Sequence, residues 1–226
     1  MNLTEISGTM VAVGSALAIG LFALPSYVST LRQKGLGKGI VILVSLGLFA
    51  LIFETIAIKT GLPYGRFNYG DGLGTKFLNA TPWAVMLAYP PIILGAYWLA
   101  RKFGRPLALI LTPIFATIVD LVLDPAMVKL EFWSWESPGP YFGVPVINFV
   151  GWLISGFVAT LILSALWGDT PVRRGAAYSV FGILLFWTGV NIGVEQKLPA
   201  IIGAACSVLL LTLFILEKRR EKSSHE

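Results

Sequence analysis

Two carboxylates one helical turn apart close a run that is otherwise apolar: Asp120 and Asp124 in "PLALILTPIFATIVDLVLDP". In a helix, residues i and i+4 share a face, about 5–6 Å apart. Acids this close in a poor solvent resist ionising together, so one keeps its proton beside the other's charge. Such a pair is an acid/base unit. The same spacing can instead hold Mg²⁺ for a diphosphate substrate, or line a proton path in a transporter. Spacing alone does not choose among the three. A third acid, Glu54 in "LFALIFETIAI", falls about one turn inside the end of its own apolar run. The structural alternatives are a hydrogen bond or a pair with Lys59 or Arg66 for Glu54, and closure of a helix before Pro125 for Asp124. A charged residue at the centre of a membrane helix costs about 2.5–3.5 kcal/mol on insertion scales, which makes acids in such runs functional candidates.

The elements that must position these acids follow from composition. The chain has 226 residues, of which 56% are hydrophobic and only 13% charged, with a mean hydropathy of +0.78. Soluble domains carry about a quarter charged residues, so this is read as an integral membrane protein. A helix needs about 20 apolar residues to cross the hydrocarbon. Seven stretches qualify, at 9–30, 38–58, 82–100, 105–124, 146–168, 176–193 and 199–216. Strands of a membrane barrel would be shorter and would alternate. The expected fold is an all-α membrane bundle of seven spans, one domain over 1–217 with a polar tail at 218–226 and no soluble module. The opening "MNLTEISGT" lacks Lys and Arg, so no cleavable signal is expected. With Cys206 the single cysteine and His225 the single histidine, an intrachain disulfide and a His/Cys metal cluster are both excluded. His225 is expected to be solvated in the tail.

Alternate connections and the C-terminal tail hold 12 of the 17 basic residues, among them Arg32, Lys34, Lys38, Arg101, Lys102, Arg105, Arg173 and Arg174. The positive-inside rule places that side in the cytoplasm, with the N-terminus outside and the C-terminus inside. The net charge of +5 is thereby read as topology anchoring, and nucleic-acid binding is not expected. In this orientation Glu54, Asp120, Asp124 and Asn148 share one level near the outer face. The two long connections, 59–81 and 125–145, lie there too. Both mix aromatics with Gly and Pro, in "LPYGRFNYGDGLG" and "EFWSWESPGPYFGVP", a texture of tight, shaped turns. Taken singly, Trp133, Trp135 and Tyr141 fit the aromatic belt of any membrane protein. Beside the acids, they suggest a lined pocket.

The ordered elements D-x-x-x-D-P, W-x-W, P-Y-x-G-x-P and N-x-x-G-W, with "GLPYGRFNYGDGLG" and "TPWAVMLAYP", are present over residues 50–152. In these the chain resembles the membrane carotenoid biosynthesis proteins, a family that includes bisanhydrobacterioruberin hydratase and the carotenoid 1′-hydratases. The segment "GRFNYG" departs from the family pattern, which leaves Arg66 and Phe67 outside the implied site. The resemblance implies a lyase that adds water across the terminal isopropylidene double bond of an acyclic carotenoid, a hydrophobic polyene met in the bilayer of the cell membrane. Such an alkene is a poor base and needs a positioned acid; protonation leaves a tertiary cation that water attacks. Asp120 and Asp124 would supply acid and base, with Glu54 as the alternative acid. Trp133, Trp135 and Tyr141 would stabilise the cation through their ring faces, while Tyr64, Tyr69, Asn148 and Trp152 would orient water or close the pocket. No metal or other cofactor is implied; other carotenoid-pathway enzymes are the implied partners.

Two rivals remain open from the sequence. An intramembrane prenyltransferase would use Asp120 and Asp124 with Mg²⁺, though only one Asp-rich motif is present. A small proton-coupled transporter would use Pro90, Pro91 and Pro113 to break helices near its site. A retinal protein is set aside, because the last apolar run, "LPAIIGAACSVLLLTLFIL", has no lysine.

Overall fold

The computed structural model describes residues 3–223 of the chain. His225 and the end of the polar tail lie outside the described residues. Among the described residues there are seven α-helices: α1 (Leu3–Lys34), α2 (Leu36–Thr60), α3 (Val85–Ala100), α4 (Arg105–Lys129), α5 (Val146–Trp167), α6 (Tyr178–Gly193) and α7 (Lys197–Ser223). Six are long and apolar enough to cross a membrane, α6 together with the 3₁₀ turn before it. The chain is an all-α membrane-type protein. The remaining helix, α3, has 16 residues and is buried on nearly every side, with Ile93, Leu94 and Tyr97 fully enclosed by its neighbours. A helix surrounded by protein can be apolar all round and shorter than the bilayer.

One end of the bundle gathers the basic connections. Arg101 donates to the carbonyls of Gly168 and Asp169, Lys34 to that of Trp167, and Arg105 pairs with Asp169. The opposite end is closed by the connections 61–84 and 130–145. The second of these is shorter than the sequence suggests, because α4 does not stop at Asp124 but continues through Pro125 to Lys129.

Proline removes the donor to the carbonyl four residues back. For Pro125 that carbonyl belongs to Leu121, and the Tyr141 hydroxyl donates to it at 3.0 Å. For Pro90 and Pro91 the carbonyls belong to Met86 and Leu87, and the Tyr27 hydroxyl reaches both, at 3.4 and 3.2 Å. Tyrosines from other elements thus replace the missing donors at Pro90, Pro91 and Pro125, and Pro113 too lies inside unbroken α4; neither α3 nor α4 is interrupted as a transporter site would require.

At the closed end the two connections pair with each other. Strand β1 (Phe67–Tyr69) runs antiparallel to β4 (Trp133–Trp135), with Phe67 opposite Trp135 and Tyr69 opposite Trp133. A smaller pair, β2 (Lys76–Phe77) and β3 (Thr81–Pro82), precedes α3 and moves its start from the expected 82 to Val85. Side chains alternate across a strand, so F-N-Y and W-S-W place four aromatics on one face and Asn68 and Ser134 on the other. The inward rings meet at 5.8 Å (Phe67–Trp135) and 5.6 Å (Tyr69–Trp133). Trp133 and Trp135 are only 9% and 6% exposed, so they form a lid over the bundle rather than a belt facing lipid.

Candidate active site

Under the lid lies a cavity of about 400 Å³, bounded by α1, α2, α3, α4, α5 and α6. Its floor and sides are mostly apolar, and its polar groups cluster at the lid end. Glu54 enters from α2, Asp124 from α4 and Asn148 from the first turn of α5.

Helix α2 ends about two turns beyond Glu54, at Gly61, whose φ of +81° a side chain would resist. The chain then turns back so that Tyr69 comes to lie over the same helix. Its hydroxyl donates to Glu54 Oε2. Burial, and then the Glu54 carboxylate beside it, hold the Tyr69 phenol well above its ordinary range, so it remains a donor.

On the other side, Asn148 Nδ2 donates to Asp120 Oδ2 at 2.9 Å and to Asp124 Oδ2 at 2.6 Å. One amide thus uses both its hydrogens to join the two aspartates. All three side chains are buried, Asp120 at 1%, Asn148 at 3% and Asp124 at 4% exposure. The i,i+4 spacing expected from the sequence does put the two carboxylates on one face of α4. They differ in what they touch: Asp124 lines the cavity and Asp120 does not.

Of the ten candidate residues, eight line this cavity: Glu54, Tyr64, Tyr69, Asp124, Trp133, Trp135, Asn148 and Trp152. The two outside it are Asp120, behind the Asn148 amide, and Tyr141, occupied with the Leu121 carbonyl. Phe67, left aside in the sequence, is 6% exposed and lines the cavity between Tyr64 and Trp135; Arg66 does not line it. Sequence reasoning also passed over Tyr89, Phe186 and Trp187. Tyr89 was within reach, as a tyrosine in the quoted "TPWAVMLAYP"; its ring packs 5.7 Å from Trp152. The two α6 aromatics carry no signal in an apolar run.

The segment N-x-x-G-W now has a physical content. Asn148 joins the acids, Trp152 forms a wall, and Gly151 admits the loop from α2. A Cβ on Gly151 would stand 2.3 Å from Tyr64 Cδ1 and 2.9 Å from the Pro63 carbonyl oxygen. Tyr64 in turn offers its carbonyl to Trp135 Nε1 at 2.9 Å. Gly151→Ala is expected to push Tyr64 and the Trp135 side of the lid outward, at a cost of about 1–3 kcal/mol for overpacking. A melting curve in detergent reads the destabilisation, and an unchanged melting temperature would show that the loop yields freely.

A family model described as "Carotenoid biosynthesis protein" matches residues 8–210. The chain belongs to the carotenoid biosynthesis protein family. Bisanhydrobacterioruberin hydratase of Haloarcula japonica is 33% identical over 204 residues, which cover 83% of this chain. They cover 66% of the relative, so the chain spans just under two thirds of that protein's length. No solved structure matches this chain. The matched region of this carotenoid biosynthesis protein holds the lid and every acid of the cavity. Among the described residues, no group of three or more His, Cys, Asp and Glu side chains is arranged to hold a metal ion.

Proposed function

We propose that this protein is a carotenoid hydratase that adds water to the terminal C=C of an acyclic carotenoid end group. One observation carries the reading: two carboxyl groups, Glu54 and Asp124, open onto a single apolar cavity walled by aromatic rings. A terminal isopropylidene group needs an apolar place to sit, an acid to protonate it and faces that tolerate a cation. The Haloarcula relative, named as a hydratase, supports the same choice.

In the proposed reaction Asp124 is the donor; the Asn148 amide holds Asp120 beside it, and two carboxyls this close keep one proton between them. The Asp124 O–H bond breaks as a C–H bond forms at the alkene CH, and the positive charge falls on the tertiary carbon. The faces of Trp133, Trp135 and Trp152 stabilise that charge, each by about 0.5–2 kcal/mol. A water oxygen then bonds to the cation and gives up a proton to Glu54, which Tyr69 holds in place. Proton exchange between the two carboxyl groups through solvent restores the starting state, so alkene and water become a tertiary alcohol with nothing else consumed. Asp120 acts here by positioning and by sharing the proton.

The reading includes a topology. The chain crosses the cell membrane seven times, counting α3, with the basic end in the cytoplasm as the positive-inside rule requires. The N-terminus is then outside, and the lid lies near the non-cytoplasmic surface, at the depth of a carotenoid end group. The polyene and the bilayer are the partners, together with enzymes that make or consume the carotenoid.

Expression in a host that accumulates an acyclic carotenoid tests the proposal. The pigment is expected to gain the mass of one water at each reacting end, read by chromatography and mass spectrometry. Unchanged pigment across lycopene-length and longer precursors would sink the hydratase reading.

A further inference from the structure

We infer that the first half of α1 is the wall through which the polyene shaft leaves the cavity, and that Gly14 and Ala18 determine which chains fit. This deepens the proposed function and rests on its choice of a polyene as substrate.

Along α1 the cavity is lined from Gly14 to Ala23, which at 1.5 Å per residue is about 14 Å. The hydrocarbon core of a bilayer is about 30 Å thick. A polyene that spans the membrane cannot be enclosed when its end group sits under the lid, so its shaft must pass out between two elements into lipid.

Helix α3 is buried along most of its length, and α4 is tied at Asp124 and at the Leu121 and Val122 carbonyls. The first half of α1 is different. From Gly8 to Phe22 no residue is buried, and burial begins at Ala23. The second half is anchored: the Ser26 hydroxyl donates to the Ala176 carbonyl at 2.6 Å, and the Ser26 amide donates to Ser179 Oγ at 3.0 Å. Helix α1 is thus anchored at Ser26 in its second half, while the stretch from Gly14 to Phe22 stands between the cavity on one side and open surface on the other. The outward positions are large and apolar, with Leu17 71% and Leu21 68% exposed, as lipid contact requires.

The cavity-lining positions before Ala23 are Gly14, Ser15, Ala18, Ile19 and Phe22, and the first three, toward the start of α1, are small residues. A Cβ at Gly14 would meet no atom within 4 Å. At Gly14 the smallness does not serve close helix packing, because nothing packs on it. It leaves width for a chain.

Gly14→Phe and Ala18→Phe test this, with Val13→Phe as the control, an exposed position on the side of α1 turned away from the cavity lining. Each variant is expressed in a host making an acyclic carotenoid. Two quantities are read: carotenoid retained per purified protein, by absorbance, and the hydrated fraction of the cell pigment. Filling the wall is expected to lower both by about tenfold at positions 14 and 18, as an overpacked apolar site would. Val13→Phe is expected to match the wild type. Should phenylalanine lower the melting temperature, Gly14→Leu repeats the test with less bulk, and losses that grow with side-chain volume support the wall. Gly14→Phe and Ala18→Phe that retain and convert pigment like the wild type would overturn it, as would wild type that retains none. Wild type that retains pigment without hydrating it, and loses it in both variants, sinks the hydratase reading and supports the wall.

Discussion

Asp124→Asn is expected to reduce hydration by about 10²–10⁴-fold, the usual contribution of a positioned general acid. The substitution keeps shape and keeps an oxygen to accept from Asn148 Nδ2, now at 2.6 Å from Asp124 Oδ2, so the bundle should remain folded. It removes the proton donor at the cavity surface. Asp120→Asn makes the informative comparison. That carboxyl is bonded to the same amide at 2.9 Å but does not line the cavity, so its loss should be at least about tenfold less severe. Pigment analysis of both variants, normalised to folded protein, checks the order. Undiminished product from Asp124→Asn removes this residue from catalysis. Equal losses in the two variants would assign the donor role to the pair as a unit.

Asn148→Leu is expected to be the most damaging change to stability. Its amide is the shared donor to two carboxyl groups that are almost fully buried. Hydrogen bonds to charged groups contribute about 1.5–3 kcal/mol each, and a buried polar group left without its partner costs its full desolvation. A loss of about 3 kcal/mol is expected on that basis, read from denaturant titration in detergent micelles. The double variant Asp120→Leu/Asn148→Leu replaces both members of one bond by apolar groups and should recover part of the loss. No recovery would mean that the Asn148 amide stabilises the bundle in some way other than through the aspartates.

Each motif from the sequence meets the structure differently. Of the four residues expected at one level, Glu54, Asp124 and Asn148 line one cavity, and Asp120 stands behind Asn148. Tyr141 does not line it, although P-Y-x-G-x-P is as specific a pattern as the others. Its hydroxyl answers a donor deficit created sixteen residues earlier by Pro125, and that demand is invisible until α4 is known to continue past the proline. The tryptophans of W-S-W read equally well as a lipid belt or a lid. Only their pairing with F-N-Y, about 65 residues away in the chain, turns them inward, and the same pairing brings Phe67 into the site.

Composition and hydropathy determined the membrane-type class, the helices, the end of the bundle at which the long connections meet, and the helix ends toward which the acids lie. These are properties of one segment at a time: apolar length decides where a helix runs, and loop position decides which end it closes. Rotation about the helix axis is not such a property. A helix that is apolar on every side carries no pattern to say which face meets its neighbours. Only tertiary packing decided that Asp124 faces the cavity while Asp120 stands behind an amide, that α3 is enclosed, and that the first half of α1 is left thin between cavity and open surface.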